Sequence, residues 1–250
     1  MKLSDIEGIF KEVNIPKNEI LFLHVKLKGI ADQIPYPNLS KQIIAVLDDL
    51  YQPKTILIPT FTYSYTKSGI FNKLSSNSEV GRFGEEIRNQ FDPVHRTSNP
   101  VFNVIDTNRY FEKFELKEES AFGEDSLMHL LHNLGHVVIN INVDEFISTY
   151  LHFLEYHYKV PYRYNKNFPG EVILSDEDKK EINYQYHVRD LDKHTSWDRH
   201  KIKTTLHKEG GLKIHQSGNV EVVWSHSKTM EKILGQKLEA DKNFLLSYKL

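Results

Sequence analysis

Three short runs of uncharged, mostly apolar residues stand out along the chain, at positions 20–25, 55–59 and 136–141. Runs of this length without alternating polar positions are typical of strands that are buried on both faces of a sheet. Between the first two runs, positions 40–50 carry apolar residues at helical spacing, and Pro53 ends that pattern. The order strand, helix, strand predicts βαβ units and therefore a parallel sheet.

Apolar residues at helical spacing predict further helices along the chain. They fall near the N-terminus and at 80–91, 127–134, 149–158, 226–234 and 240–248. After Pro161 the pattern changes to short segments that favour antiparallel strands, at 171–175, 182–188, 212–215 and 220–224, with glycine-containing turns between them. We expect an α/β fold with a mainly parallel central sheet flanked by helices and an antiparallel C-terminal strand set. Residues 1–250 are expected to form a single domain.

Composition removes several classes of function. The 250 residues include 32 Lys and Arg against 34 Asp and Glu, a net charge of -2, so no global positive field favours nucleic acid or an anionic membrane. There is no cysteine, which excludes disulfides, thiolate metal sites and a cysteine nucleophile. The N-terminus lacks the apolar core of a signal peptide, and no run approaches 18 apolar residues, so a cytoplasmic protein is expected.

One cluster of polar residues on a predicted helix carries candidate chemistry. His152 and Glu155 are three residues apart, which places both on one helix face, where the carboxylate could orient the imidazole and raise its basicity as a general base requires. From spacing alone, a surface ion pair is the simpler interpretation. His157 lies about 140° further around the helix from His152, so these three residues cannot converge on one metal ion, and we expect none in the reaction.

Seven short segments occur in the order of the motifs of one enzyme family. They are residues 23–27 (LHVKL), 58–62 (IPTFT), 80–88 (VGRFGEEIR), 96–100 (RTSNP), 122–126 (FGEDS), 149–155 (TYLHFLE) and 161–163 (PYR). Because these segments occur in this order, the chain resembles the aminoglycoside 3-N-acetyltransferase family. That family is distinct from the GNAT acetyltransferases. Each segment alone is a weak signal, and it is their common order over nearly the whole chain that is specific.

The resemblance implies that residues 1–250 form a single N-acyltransferase domain, which transfers an acyl group from acyl-coenzyme A to an amino group of an amino sugar. A sugar amine is largely protonated at neutral pH and must lose a proton before it attacks a thioester. His152 would be that base and Glu155 its orienting partner. Without cysteine, direct attack within a ternary complex is the more natural route. The oxyanion of the intermediate needs hydrogen-bond donors, for which the backbone after His24 and the Thr60 hydroxyl are both candidates.

Coenzyme A is expected along the loops at the carboxyl ends of the first two parallel strands and at positions 96–100. Its candidate contacts are His24, Lys26, Thr60, Arg96, Thr97 and Ser98. Lys26 and Arg96 suit phosphate oxygens, although a solvent-facing charge explains Lys26 equally well. Candidate contacts to the acceptor are Tyr63, Glu79 and Arg163. No nucleic-acid or membrane partner is expected.

The chain departs from the family motifs at positions that bear on the substrate. Lys26 stands where the family commonly has Ser, Asn99 where it has His, and Phe102 and Asn103 where a Ser is usual. A polycationic acceptor also requires carboxylates, for which the candidates are Glu79, Glu85, Glu86, Asp144 and Glu145. The same chemistry would serve a nucleotide-linked amino sugar. A relative that binds coenzyme A or a sugar without turnover is a third alternative.

Overall fold

The computed structural model describes residues 3–30, 38–193 and 195–248. Within these ranges the helices are α1 (Leu3–Phe10), α2 (Leu39–Tyr51), α3 (Tyr65–Ser68), α4 (Arg82–Arg88), α5 (Leu127–Leu134), α6 (Tyr150–His157), α7 (Arg199–Lys208) and α8 (Ser227–Ala240). The strands are β1 (Ile20–Val25), β2 (Thr55–Pro59), β3 (Ile70–Asn72), β4 (Val104–Asp106), β5 (Val137–Ile141), β6 (Arg163–Ile173), β7 (Lys179–Arg189), β8 (Lys213–Ser217) and β9 (Val220–His226).

The main sheet has the strand order β4-β2-β1-β5-β9-β8. Strand β1 is parallel to both of its neighbours, with Phe22 opposite Leu57 of β2 and Val138 of β5. Antiparallel strands complete the sheet on both sides, β4 beside β2 and the pair β8–β9 beside β5. The parallel core predicted from the three apolar runs is confirmed.

Successive residues of β1 enter different cores, because side chains alternate between the two faces of a strand. Leu21 and Leu23 pack in the core that includes α1 and α2. Ile20 and Phe22 pack in the core that includes α5, α6 and α8. Helices on both faces leave β1, β2 and β5 little contact with water, which accounts for runs without polar alternation.

A second sheet has the order β3-β6-β7. Strands β6 and β7 form a long antiparallel hairpin, and β3 lies parallel to β6. The backbones of β6 and the turn before β3 approach closely at Gly170, where a Cβ would lie 2.2 Å from the Gly69 carbonyl oxygen. The predicted C-terminal strands therefore exist, but they divide between two sheets, because only β8 and β9 extend the main one.

The C-terminal helix predictions are partly wrong. One helix, α8, covers residues 227–240, and no second helix follows at 241–248. Asp241 has an extended backbone and its carboxylate accepts a hydrogen bond from the Asn243 backbone N–H (2.9 Å), which favours a turn over continued helix. Helix α7 was not predicted, because only Ile202 and Leu206 form its buried stripe. No helix in the described ranges has the length and apolar content to cross a membrane.

Candidate functional site

Two grooves meet at the carboxyl ends of the parallel strands. The first groove, of about 1110 Å³, is bordered by residues 23–28 at and just after the end of β1, the end of β2, the start of α4 and the loop after β5. The second groove, of about 740 Å³, is bordered by the β6–β7 hairpin and residues 195–199. Five residues line both grooves: Tyr63, Glu145, His152, Trp197 and Arg199. A molecule in each groove would therefore reach His152.

Helix α6 carries His152 to this junction. Its neighbours Leu151, Phe153 and Leu154 are buried in the core, which directs His152 to the opposite side. The His152 side chain remains 24% exposed. Its ring lies against the Trp197 indole, with centroids 4.5 Å apart. The helix face thus fixes the position of the imidazole, and the indole covers one side of it.

Glu155 is fully buried beneath His152 and has three polar partners. One carboxylate oxygen lies 3.1 Å from Nδ1 of His152 and forms an ion pair with Nε of Arg163 at 2.6 Å. The other accepts a hydrogen bond from Nε1 of Trp197 at 2.6 Å. A buried carboxylate is tolerated only when it is paired and hydrogen-bonded. The carboxylate is therefore held firmly, and it fixes the imidazole in turn.

Electrostatics set the protonation state of this pair. Burial lowers the pKa of His152, against the opposing influence of the Glu155 carboxylate. Burial alone would raise the pKa of Glu155, but the hydrogen bond with His152 and the charge of Arg163 hold it below its usual range. At neutral pH the pair is thus a neutral imidazole and a carboxylate. With Nδ1–H donated to Glu155, Nε2 is the nitrogen that can accept a proton from a bound molecule.

His24 and Lys26 lie at the end of β1 and line the first groove. Burial lowers the pKa of His24 to about 4, so its ring is neutral at pH 7. The Lys26 ammonium is half exposed and forms an ion pair with Asp144 across the mouth of the groove. Both residues therefore lie where the sequence predicts contacts to coenzyme A.

The family model for aminoglycoside 3-N-acetyltransferases matches residues 22–239. The chain belongs to this family. No curated protein sequence is similar enough to match it. Among solved structures, it is similar to AAC-IIIb in a binary complex with CoASH, with a TM-score of 0.75, 14% identity and coverage of 100% of this chain and 99% of that one.

Two further structures have the same fold. The YokD protein from Bacillus subtilis has a TM-score of 0.74 and 15% identity, with coverage of 96% of this chain and 94% of that one. A histidine-to-alanine variant of the aminoglycoside acetyltransferase AAC(3)-IVa, in complex with a gentamicin, has a TM-score of 0.73 and 15% identity, with coverage of 99% and 92%. The α/β fold expected from the sequence is confirmed as the fold of the aminoglycoside 3-N-acetyltransferases.

Arg96, which was expected to contact a phosphate of coenzyme A, is buried inside the protein. It is 1% exposed, and its guanidinium donates to the carbonyl oxygens of Thr60, Lys73 and Ser76 and to the side chain of Asn103. Burial lowers the pKa of Arg96 to about 10, so it stays charged at neutral pH. These bonds occupy its donors inside the protein, which corrects the expectation that Arg96 contacts coenzyme A.

The other candidates in this part of the chain also lie away from the grooves. Thr60 is fully buried, and its hydroxyl donates to the Asn103 side chain at 2.8 Å. The Thr97 hydroxyl accepts from the Val104 backbone N–H at 3.0 Å, next to Ser98. Neither groove is lined by Thr60, Thr97 or Ser98. The hydroxyls of Thr60 and Thr97 support the strand ends, because buried donors and acceptors there need partners.

The three residues predicted to contact the acceptor differ in their position relative to the grooves. Tyr63 lines both grooves. Arg163 borders the second groove, but its guanidinium pairs with Glu155, so it positions the carboxylate. Glu79 accepts from the Ser64 backbone N–H at 3.1 Å and lines neither groove. The structure thus brings Tyr63 to the junction and Arg163 to the second groove, and it places Glu79 beside the turn before α3.

The remaining carboxylates proposed for a polycationic acceptor already have partners. Glu85 binds Arg88, and Glu86 accepts from the Ser40 hydroxyl at 2.7 Å. Asp144 pairs with Lys26, and Glu145 pairs with Arg199 at 3.0 Å. Only Asp144 and Glu145 of these four line a groove. Both are exposed, so their partners can exchange with a ligand at small cost.

The sequence pattern did not predict the roles that Asn99 and Trp197 have in the structure. Asn99, at the position of the family's His, is buried and accepts from the Phe102 backbone N–H (2.7 Å) and the Tyr184 hydroxyl (2.9 Å). The departure from the family motif at position 99 therefore lies in the protein interior and does not line either groove. Trp197 supports Glu155 from a loop that lies 42 positions along the chain. A single tryptophan in a polar segment carries no periodic signal that would have identified it.

Proposed function

We propose that this protein is an acyl-CoA-dependent N-acyltransferase that transfers an acetyl group to an amino group of an aminoglycoside-type amino sugar. The observation that carries the proposal is the place of His152, at the junction of two grooves and paired with a buried carboxylate. The family to which the chain belongs carries out this chemistry. That assignment favours an aminoglycoside-type acceptor over a nucleotide-linked amino sugar.

In the proposed reaction, the neutral acceptor nitrogen attacks the thioester carbonyl carbon, and Nε2 of His152 takes a proton from that nitrogen as the bond forms. A C–N bond forms, and the carbonyl electron pair moves to oxygen. When the intermediate collapses, the C–S bond breaks and the thiolate of coenzyme A leaves. The imidazolium returns its proton to that thiolate, so the products are an amide and free coenzyme A. An acceptor that arrives as an ammonium first releases one further proton to solvent.

Glu155 acts on this reaction through His152. Its negative charge stabilises the imidazolium that forms in the first step, and its position keeps Nδ1 protonated and Nε2 available. Arg163 and Trp197 hold Glu155 in place by an ion pair and a hydrogen bond. In the proposed mechanism these two are positioning residues.

The developing oxyanion requires donors close to the thioester. Of the two candidates from the sequence, Thr60 is fully buried and its hydroxyl is bonded to Asn103, so it does not serve. The Lys26 backbone N–H is bonded to the Ile141 carbonyl. We assign the role to the backbone N–H groups of Leu27 and Lys28, which line the first groove.

We place coenzyme A in the first groove and the amino sugar in the second. The first groove opens at the carboxyl ends of the parallel strands, where nucleotide ligands of α/β folds bind. Lys26 and Lys28 offer ammonium groups to its phosphates there. Solved structures of the same fold include AAC-IIIb with CoASH and AAC-VIa bound to sisomicin. Acetyl-CoA is a cytoplasmic metabolite, so we place the reaction in the cytoplasm.

A thiol-release assay tests the proposed function. Purified protein is mixed with acetyl-CoA and one acceptor at a time, which is gentamicin, sisomicin or a simple amino sugar. Free coenzyme A is then followed with a thiol reagent. We expect thiol release that depends on an aminoglycoside and mass addition of one acetyl group to it. Calorimetric binding of coenzyme A without thiol release for any acceptor would instead support the binding protein without turnover.

A further inference from the structure

Three side chains of metal-ligand type converge on a side of α6 that does not face the grooves. His132 of α5, His157 of α6 and Glu231 of α8 each offer one atom, and these atoms lie within 4.8 Å of one another. None of the three lines either groove. His157 lies about 140° around the helix axis from His152, so this cluster is separate from the catalytic pair.

The orientation of His132 is fixed by the residues around it. Its Nδ1 lies 2.7 Å from the hydroxyl of Tyr150, a side chain that is 1% exposed. Its ring also packs against Phe153, with centroids 4.8 Å apart. A histidine that ligates a metal ion through one nitrogen usually donates a hydrogen bond through the other. The Tyr150 oxygen provides such a partner, and Nε2 is then directed at Glu231.

The charges within the cluster are only loosely paired. Nε2 of His132 is 3.7 Å from one carboxylate oxygen of Glu231, and Nζ of Lys228 is 3.9 Å from the other. Both distances exceed those of a hydrogen bond. Nε2 of His132 and the Glu231 carboxylate therefore face each other at close range without a hydrogen bond between them.

We propose that His132, His157 and Glu231 form a binding site for a zinc-type divalent metal ion, with a fourth position open to solvent. Two imidazoles and one carboxylate are a donor set that zinc accepts and that magnesium and calcium do not favour. Ligand atoms at tetrahedral zinc lie about 3.3 Å apart, which follows from bond lengths of about 2.0–2.1 Å. The observed 3.7 Å between His132 and Glu231 is close to that spacing.

His157 can complete the site at small cost. Its side chain is exposed, and its ring lies 5.1 Å from that of His132, so a rotation of the side chain brings it to a shared ion without moving the core. The three ligands belong to three helices. A bound ion would link α5 and α8 to the end of α6, and it would stabilise the fold without taking part in acyl transfer.

Zinc titration of the chelator-treated protein tests this site independently of acetyl transfer. We expect calorimetry to give one zinc per chain and zinc to raise the melting temperature. His157→Ala should weaken binding at least tenfold and remove the thermal shift. Because His157 is exposed, this variant should fold. Glu231→Gln should also weaken binding. His207→Ala, which removes an exposed histidine on α7, is the matched control and should bind as the parent does.

Each of four results would overturn the proposal. The first is absence of zinc binding by the parent protein. The second is undiminished binding by His157→Ala, and the third is loss of binding with His152→Ala, which would move the ion to the groove junction. An equal thermal shift with magnesium would also contradict a zinc-type site. None of these outcomes depends on whether the protein acetylates an amino sugar.

Discussion

Replacing His152 with alanine separates catalysis from stability, because the structure predicts a large effect on one and a small effect on the other. The ring projects into the groove junction and is 24% exposed, so its loss leaves no closed cavity. Glu155 loses one partner but keeps Arg163 and Trp197. We therefore expect a loss of about 1 kcal/mol, the net worth of one hydrogen bond. For a chain of this length that lowers Tm by about 2–4 °C.

The expected effect of His152→Ala on turnover is much larger. Loss of a general base lowers kcat by roughly 10²–10⁴, which is about 2.7–5.4 kcal/mol on the barrier. Affinity for coenzyme A should change little, since the imidazole acts on the acceptor. Thiol release at saturating substrates gives kcat, calorimetry gives the Kd for coenzyme A, and thermal unfolding of the same preparation gives Tm.

The pH profile adds an independent measurement. The neutral imidazole is the active form, and burial lowers the pKa of His152. In wild-type protein, kcat should therefore rise with pH, and the midpoint of the rise should lie below the usual histidine pKa of about 6.5. In His152→Ala this acid limb should disappear. Near-wild-type turnover together with a lowered Tm would refute the assignment, because His152 would then only support the site.

Three further substitutions examine the supporting residues. Glu155→Gln should lower kcat by less than His152→Ala does, but it should lower Tm more, because the buried Arg163 loses its carboxylate; the opposite order of Tm values would contradict this. Trp197→Phe keeps an aromatic ring beside His152 and removes the donor to Glu155, so kcat should fall by about tenfold or less, measured by thiol release. Arg96→Ala should destabilise the protein by about 3 kcal/mol or more in chemical denaturation, since buried carbonyls lose their donor, while the folded fraction binds coenzyme A normally.

The sequence predicted those features that follow from local pattern. Strand β1 was recognisable because both of its faces are buried, so that no polar residue interrupts it. The pair His152 and Glu155 could be placed on one helix face because helical spacing is fixed. Whether that face looks into solvent or into a groove depends on the hairpin and loop that pack around it. The spacing alone therefore favoured a surface ion pair, and the structure shows a buried carboxylate.

Features that depend on distant segments were not predictable. Arg96 stands in a family motif, yet its donors reach carbonyl oxygens 20 to 36 positions away, so only the fold shows that it is internal. The division of the antiparallel strands between two sheets likewise depends on which edge each hairpin meets. Such pairings are tertiary, and short-range periodicity contains no information about them.

The meeting of two separately open grooves at one imidazole has a kinetic consequence. Neither substrate has to pass through the other's groove, so either one can bind first and either product can leave first. Initial-rate plots should then intersect, as for any ternary complex, and an unreactive sugar analogue should inhibit noncompetitively against acetyl-CoA, because compulsory binding of acetyl-CoA first would make it uncompetitive. Coenzyme A should inhibit competitively against acetyl-CoA, while a non-reactive analogue of the sugar should compete with the acceptor alone. Because the two grooves open separately, the enzyme does not require a compulsory order of substrate addition.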